Sequence, residues 1–424
     1  MKMQVLMLKF PHLPEKIFKK LDLESLFKCR EVAILWQNII DERNYPWLCI
    51  VNIPTILKKR NKYLHLAAQS GQIQAFKTAF FKENNKNSKD EGGKTSFHLA
   101  CMHGRSMIVQ FLLKNTGLKI NNAEDTFAPK RKKRKKNKKR NSMSISIDLN
   151  TKTKEGYSAL HLACQKGHSD VVNILMENSI NLNIDLNPKD RSECTPFILA
   201  CLYGHTEVVK VLMEKTYDFS IDMNAKDTEG NTGFLWACDH GHTDLVKMFM
   251  ENAATFGIDI NTRNYDGLTG FHRACREGVI EMITIFMENR AKLSFDLNTK
   301  DNRGWTAFHC ACDIGFSDVV QFLMRNAAAF SIDLNAKTNN DWTPFHIACN
   351  MGCLDVVKIF MENAAALSIN LNAKSNNYVT AFHIACHWGY SDVVEVFVKN
   401  AATLSIELTG VPENLSSIIS QNRL

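Results

Sequence analysis

The sequence lacks any long hydrophobic run. No stretch approaches the roughly 18 to 20 apolar residues that a membrane-spanning helix needs, and the apolar N-terminal segment MQVLML is followed at once by Lys9 and Pro11. These features argue against a spanning helix and against a secretory leader. We therefore expect a protein that is neither secreted nor embedded in a membrane, located in the cytoplasm, the nucleus or both.

Catalytic signatures are also missing. The sequence contains no glycine-rich phosphate loop, no nucleophile elbow and no paired-carboxylate motif. We therefore expect no intrinsic catalysis and no bound cofactor or metal ion.

Excess charge is confined to one segment. The chain has 52 basic and 44 acidic residues, a formal net charge of +8. Ten of the basic residues fall within eleven positions, here called the basic run, and without them the net charge is −2. The basic run consists of Lys130, Arg131, Lys132, Lys133, Arg134, Lys135, Lys136, Lys138, Lys139 and Arg140. Any argument for an acidic partner or nucleic acid therefore depends on this run.

Three interpretations of the basic run remain open. We favour a nuclear import signal, because exposed clusters of Lys and Arg suit the acidic groove of an import receptor. The run could also be a solvated loop. Direct contact with nucleic acid is the third interpretation, although the run contains no aromatic residue that could stack on bases.

An internal repeat organises most of the chain. The dipeptide Ala-Cys recurs seven times at intervals of 37 residues, from Ala163 to Ala385. Another copy, at Ala100, lies 63 residues before Ala163, which is one period plus an insertion of 26 residues that contains the basic run. A more divergent unit, YLHLAAQSGQ, lies a further 33 residues upstream. We therefore predict nine repeats over residues 61–403, with the insertion near 116–147.

Each repeat pattern predicts two short helices and a loop. Thr343 followed by Pro344 is a strong helix start, because the hydroxyl caps free amides and proline fits the first helical position. A glycine about eight residues later, such as Gly352, predicts a left-handed end after two turns. Ser317 and Asp318 predict a cap and a favourable charge at the start of a second helix of about ten residues. The Asn- and Asp-rich segments that follow predict an extended loop or hairpin.

These motifs resemble the ankyrin repeat, T-P-L-H-x-A-A-x-x-G-H followed by V-V-x-x-L-L. The chain reads TPFHIACNMGC from Thr343 and SALHLACQKGH from Ser158. It departs from the family in its period of 37 rather than about 33 residues and in a Phe that usually replaces Leu before the His. The resemblance implies an all-α ankyrin-repeat solenoid, built from helix pairs and hairpin loops. We expect the four extra residues in connectors after the second helix, where the insertion also enters.

The repeated Cys, His and Asn residues are expected to be structural. Equivalent Cys residues in stacked repeats would lie about 10 Å apart, beyond the roughly 7 Å Cα separation that a disulfide allows, and a small thiol packs well between helices. Ile198 and Leu235 replace the His in two repeats, which fits a packing role. The resemblance implies that the imidazole bonds near the helix start and that the Asn is a hairpin residue, with Asn hydroxylation as an alternative. The residues concerned are Cys101, Cys164, Cys201, Cys238, Cys275, Cys312, Cys349 and Cys386, then His65, His98, His161, His272, His309, His346 and His383, and then Asn150, Asn187, Asn224, Asn261, Asn298, Asn335 and Asn372.

The segment GWTAFHCAC, from Gly304 to Cys312, illustrates this point. Imidazole and thiolate are the usual zinc ligands, so His309, Cys310 and Cys312 suggest a metal site. His309 and Cys312 are copies of the repeated pair, however, and Cys310 alone is particular to this repeat. We therefore predict packing rather than metal binding, and the thirteen cysteines of the chain are expected to be free thiols of a reducing compartment.

Residues 11–48 have a different pattern, and 49–60 are expected to be a linker. About 35 residues cannot bury enough surface to fold alone, so the apolar positions need a partner or the end of the repeat stack. A Leu-Pro start, an Ile-Phe pair, an acidic-Leu step, a Val and a Trp follow in the order of the F-box, which the segment resembles, although the first two features are closer together than in that family. The residues that the resemblance assigns to adaptor binding are Leu13, Pro14, Ile17, Phe18, Leu21, Leu26, Val32 and Trp36.

The F-box resemblance implies a substrate-recognition subunit of a cullin-RING ubiquitin ligase. Its helices would dock on the ligase adaptor and thereby join the cullin, while the ankyrin array would hold a target protein. We expect target contacts at the loop tips, where the repeats differ most, and on the adjoining faces of the first helices. The tip candidates are Glu229, Tyr265, Asp266, Arg303, Asn340 and Asn377. The alternative is an ankyrin scaffold without a ligase link, in which the N-terminal helices only cap the first repeat; residues 404–424 are expected to be a C-terminal cap or tail.

Overall fold

A computed structural model describes most of the repeat region in two compact units. The units are Met1–Asp222 and Met223–Leu424, and each is described by itself. Nearly all regular structure in the described residues is helical, as the all-α prediction requires. No described helix is long and apolar enough to cross a membrane. The described residues are 60–83, 85–116, 119–120, 143–144 and 146–409.

The first unit contains four helix pairs among its described residues. The third and fourth pairs are each followed by one further helical turn. A two-residue antiparallel strand pair, in which Lys119 lies opposite Ser144, joins the two ends of the insertion. The elements are α1 (Arg60–Ser70), α2 (Ile73–Lys82), α3 (Ser96–Met102), α4 (Ser106–Asn115), β1 (Lys119–Ile120), β2 (Met143–Ser144), α5 (Ala159–Gln165), α6 (Ser169–Glu177), α7 (Ser179–Leu182), α8 (Pro196–Leu202), α9 (Thr206–Glu214) and α10 (Thr216–Phe219).

The second unit contains five helix pairs among its described residues. In each unit the first helix of a pair packs against the first helices of the neighbouring pairs, and second helices pack likewise against second helices. The elements are α11 (Gly233–Asp239), α12 (Thr243–Phe256), α13 (Gly270–Glu277), α14 (Ile280–Leu293), α15 (Ala307–Ile314), α16 (Ser317–Phe330), α17 (Pro344–Asn350), α18 (Leu354–Asn363), α19 (Ala381–Trp388) and α20 (Ser391–Leu404).

From α3 onward, the first helices begin and end as the sequence predicts. Each begins after a Ser or Thr in extended conformation; at Thr306 the hydroxyl bonds the third helical residue, and the His309 ring bonds back to the Thr306 amide. Such reciprocal capping satisfies amides that the helix itself leaves without partners. The predicted glycines have positive φ, from +66° at Gly352 to +82° at Gly315 among the last four, so they form left-handed helix ends.

The predicted cap of the second helices is wrong by one residue. Ser317 is the first helical residue of α16, and the N-cap is Phe316, which makes no side-chain cap bond. Asp318 does lie in the first turn, where its charge opposes the positive end of the helix dipole. A Ser or Thr thus marks this helix start without capping it.

The four extra residues, predicted to lie in connectors after the second helix, are helical in most of the described repeats. In α12, α14, α16 and α20 they extend the second helix to 14 residues, and α7 and α10 are separate turns at the same place. Each extension ends in a left-handed residue, such as Ser331 with φ +54°. The following amide then bonds back into the helix, as Ile332 does to the carbonyl of Ala327 at 2.9 Å.

The repeated asparagines, which were predicted as hairpin residues, form hydrogen bonds to the left-handed helix end of the next repeat. This series of bonds is here called the asparagine ladder. The Asn298 side-chain amide donates to the carbonyl of Ser331 at 2.7 Å, and its oxygen accepts the backbone N–H of Asp333 at 2.8 Å. The same pair of bonds recurs from one repeat to the next at Asn150, Asn187, Asn224, Asn335 and Asn372. The extra turn therefore places a carbonyl where the preceding repeat can reach it.

One rung of the ladder is missing within the second unit. Among the described residues, Asn261 is the copy whose side chain forms neither bond, although its backbone N–H still bonds Asp259 at 3.0 Å. The residue after the left-handed Ser294 is Phe295, whereas other repeats have a buried Ile there. Its ring packs edge-on against Phe286, with centroids 5.6 Å apart. The repeat in which the Asn261 side chain lacks both bonds is thus followed by one with Phe295 in place of the usual Ile.

The unusual Phe before the repeated His has a packing reason. Phe345 of α17 lies 5.2 Å from the ring of Phe360 in α18 and 5.6 Å from that of Phe397 in α20. The aromatic rings of the first helices thus pack against aromatic rings of the second helices. Such pairs contribute about 0.5–1.5 kcal/mol each beyond simple burial. The largest fully buried side chains are Phe76, Phe80, Phe97, Phe234, Phe249, Phe308, Phe345, Phe360, Phe382 and Phe397.

Candidate protein-binding face

The residues of GWTAFHCAC are packing residues. Cys310 and Cys312 are buried, and burial raises the pKa of the Cys310 thiol to about 12. His309 is the third residue of α15, where its ring accepts the N–H of the capping residue Thr306, and it is fully buried. Among the described residues no group of three or more His, Cys, Asp and Glu side chains is arranged to hold a metal ion.

The repeated histidines clamp neighbouring repeats together. The His309 Nδ1 accepts the Thr306 N–H at 3.1 Å, so Nε2 carries the proton and donates to the carbonyl of Trp342 in the next repeat at 3.2 Å. Burial lowers the pKa of His309 to about 4, which keeps the ring neutral. The same link to the next repeat is made by His65, His161, His272 and His346.

The tip candidates of the second unit are exposed, and their backbones join successive loops. The Glu229 carbonyl accepts the N–H of Tyr265 at 3.0 Å, and the carbonyls of Asp266, Arg303 and Asn340 accept the same kind of bond from the next tip. The Tyr265 side chain is 66% exposed. The loops are therefore held in fixed register with their side chains available.

Asn377 also belongs to the exposed tip set. Its neighbour Tyr378 is 81% exposed and has a left-handed φ of +60°. Target binding by these tips remains a prediction.

Arg303 is the tip candidate that the structure holds most firmly. Its Nε and Nη2 both donate to Oδ2 of the buried Asp301, each at 3.0 Å. Its guanidinium carbon lies 4.3 Å from the centre of the Trp305 ring, within cation–π range. Asp301 is itself fixed by the N–H groups of Arg303 and Trp305. The remaining donors of the guanidinium are thus presented to a partner in one orientation.

Arg273 lies beside this group, at a position where most repeats have an apolar residue. Its side chain is only 7% exposed; Nη1 pairs with Asp239, and Nη2 donates to the Asn231 Oδ1 at 2.7 Å. The Trp236 ring covers the guanidinium at 5.7 Å, and its indole N–H donates to Asp227 at 2.8 Å. The Arg273 Nε–H is buried without a partner among the described residues.

A small cavity, here called the arginine pocket, opens between α13, α15 and the loop before α15. Its volume is about 100 Å³. Arg276 and Asp313, at its rim, form no ion pair within 4 Å among the described residues. Burial raises the pKa of Asp313, although Arg303 and Arg276 act in the opposite direction. The lining residues are Leu268, His272, Arg273, Arg276, Arg303, Trp305, Cys310 and Asp313.

An apolar stripe continues from the arginine pocket along the next first helices. Ile314, Met351 and Trp388 occupy equivalent positions at the ends of α15, α17 and α19, and they are 43%, 47% and 56% exposed. The equivalent residues of earlier repeats include Glu277, so the stripe belongs to the last three repeats. Exposed apolar side chains in a row typify interaction surfaces.

Only one part of this face was predicted from the sequence. Arg303 was among the predicted tip residues, whereas Arg276, Asp313 and the apolar stripe were not predicted. The signal was a residue that differs in character from its copies, and Arg273 among apolar equivalents was the clearest case.

The predicted adaptor-binding residues of segment 11–48 and the basic run lie outside the described residues. Both remain predictions, as does the tail beyond residue 409.

The capped helix pairs, tied to one another by histidines and asparagines, define a helical repeat protein. A family model described as ankyrin repeats, in three copies, matches most of the chain, and the chain belongs to this family. Ankyrin repeats imply a scaffold for protein–protein interaction. No F-box family matches, and a search of curated proteins found no matching relative. The matched residues are 48–128, 135–227, 217–296, 234–337, 271–375 and 330–407.

Proposed function

We propose that the chain is the substrate-recognition subunit of a cullin-RING ubiquitin ligase. The target-binding half of this proposal is carried by the exposed first-helix face of the second unit, with its arginine pocket and apolar stripe. The ligase half is supported by the order of apolar residues in segment 11–48, which follows that of the F-box.

The proposed mechanism is proximity. The chain brings no catalytic group to ubiquitin transfer; it holds a target lysine near the ubiquitin-conjugating enzyme that the ligase recruits. Holding two reactants together raises their effective concentration, into the millimolar range for short flexible tethers. The second unit suits this task because packing between its neighbouring first helices holds the residues of the binding face in register.

The test is affinity purification of the tagged full chain from cells, followed by mass spectrometry. Wild type should recover the ligase adaptor and cullin, and a variant with Leu13, Pro14 and Ile17 changed to Ala should lose both. The matched control carries Met351→Ser and Trp388→Ser, which should leave adaptor recovery unchanged because these residues lie on the target face. Absence of the adaptor from the wild-type sample refutes the ligase proposal and leaves the interaction scaffold as the function.

For the basic run we propose nuclear import by an acidic-grooved receptor, with the protein divided between cytoplasm and nucleus. Deleting residues 130–140 should move a fluorescent fusion out of the nucleus. Salt-dependent binding of the purified chain to DNA or RNA that disappears with the same deletion would instead favour nucleic-acid contact. No change in either measurement would favour a solvated loop.

A further inference from the structure

The arginine pocket is rich in hydrogen-bond donors that the protein itself does not use. Arg276 is exposed and forms no ion pair within 4 Å among the described residues, and Arg303 uses only Nε and Nη2 on Asp301. The buried Nε–H of Arg273 adds a donor without a partner among the described residues. Guanidinium groups bind carboxylates through two parallel N–H···O bonds, so an acceptor with two oxygens fits this pocket.

The acidic side chains near the pocket differ in whether they are already paired with an arginine. Asp239 is paired with Arg273, and Asp301 with Arg303, so both are already used. Asp313 is the acid of the rim that has no such partner, and burial raises the pKa of its carboxyl group. A bound carboxylate would therefore gain from the two arginines and be opposed by Asp313 and by Glu277, which follows Arg276 in the chain.

The apolar stripe sets the spacing of the rest of the ligand. Neighbouring helices pack about 8–10 Å apart, and an extended chain advances about 3.3 Å per residue. One repeat therefore corresponds to about three residues of an extended peptide. Counted from the repeat of Arg276, the stripe provides apolar contacts one, two and three repeats further along, at Ile314, Met351 and Trp388.

We infer that this face binds an extended acidic peptide segment of the target protein. A Glu or Asp carboxylate occupies the arginine pocket between Arg276 and Arg303, and apolar residues at intervals of about three lie on Ile314, Met351 and Trp388. The inference rests on the proposed target-binding function and identifies the chemistry of the target; it does not depend on the ligase link.

The test begins with a phage-displayed library of random peptides about ten residues long, selected on the purified full chain. The selected peptides should share an acidic residue followed by apolar residues at intervals of about three. The dissociation constant of one such peptide and of its Glu→Gln version is then measured by fluorescence anisotropy. The Gln version should bind about tenfold more weakly or worse, since a charge-assisted bond is lost.

Three variants locate the carboxylate. Arg276→Glu should weaken binding of the Glu peptide at least about tenfold, whereas Arg325→Glu, the same change at an exposed site on α16, should not. Asp313→Asn should strengthen binding, because it removes an opposing charge. A cationic ligand would reverse the last result.

The inference is overturned if no acidic peptide is enriched, if Arg276→Glu and Arg325→Glu have the same effect, or if Asp313→Asn weakens binding. These measurements use purified protein without the ligase adaptor. Their failure is therefore separate from failure of adaptor recovery in cells.

Discussion

The histidine clamps make a sharp prediction about acid stability. The His309 pKa is about 4 in the folded protein and about 6.5 in an unfolded chain. Between these values the unfolded state binds a proton that the folded state does not. The contribution of His309 is therefore fully present above pH 6.5 and is lost as the pH falls toward 4.

The magnitude follows from these two values. At pH 5 the difference in proton binding lowers the free energy of unfolding by about 2 kcal/mol relative to pH 7.5. His309→Leu removes the titrating group together with its bonds to Thr306 and Trp342. Losing those bonds should cost about 1–3 kcal/mol at pH 7.5, where the ring is neutral. Leu235 occupies the equivalent position naturally, so the substitution should pack without a clash.

The assay is urea unfolding of wild type and His309→Leu at pH 7.5 and pH 5.0, followed by far-UV circular dichroism and tryptophan fluorescence. The variant should be less stable than wild type at pH 7.5, and the difference should shrink by about 2 kcal/mol at pH 5.0. His387→Gln, at an exposed position, is the control and should leave the pH dependence unchanged.

An equal difference between wild type and His309→Leu at the two pH values would refute this reasoning. It would show that the buried ring is already charged in the folded state or that the unfolded chain does not take up the proton.

Three further predictions concern packing, the asparagine ladder and thiol reactivity. Asn298→Ala should lower the free energy of unfolding by about 1–2 kcal/mol in urea, whereas Asn261→Ala, at the missing rung, should change it by less than about 0.5 kcal/mol; equal effects would contradict the ladder. Gly270→Ala should destabilise by about 1–3 kcal/mol in thermal unfolding, because its Cβ would lie 2.8 Å from two Phe rings. Gly257→Ser, where nothing lies within 4 Å, should cost only the strain of a side chain at φ +64°, about 1 kcal/mol. Among the described cysteines, Cys353 is the one not fully buried, so peptide mapping after brief native labelling should find it modified first, and earlier labelling of a buried thiol would contradict the packing.

The first helices were predictable from sequence because their signals are local. Thr343, Pro344 and Gly352 lie within ten residues, and each acts on its own turn of helix. The start of the second helices was misplaced by one residue at Ser317, because Ser is tolerated at the first helical position as well as at the cap. The helical extension was missed although its alanines favour helix.

The arginine pocket was harder to predict because it is assembled from residues far apart in sequence. Arg276 and Asp313 meet only because a period of 37 residues brings equivalent positions side by side. The fixed orientation of Arg303 depends on a buried Asp301 and on the adjoining Trp305 ring, and neither role can be derived from residue type alone. Aligning the repeats identifies residues that differ from their copies, but only their contacts in the folded protein indicate what they do.

The histidine clamps also have a direction that matters during synthesis. The histidines that form clamps reach forward, as His272 does to the carbonyl of Trp305, which is 33 residues later in the chain. The histidine emerges from the ribosome before its acceptor carbonyl. Its ring therefore has no acceptor until the next repeat has emerged. A newly completed repeat that carries such a histidine would therefore be less stable until the next repeat emerges, and a pause in translation at that point would leave one unsatisfied imidazole at the growing end.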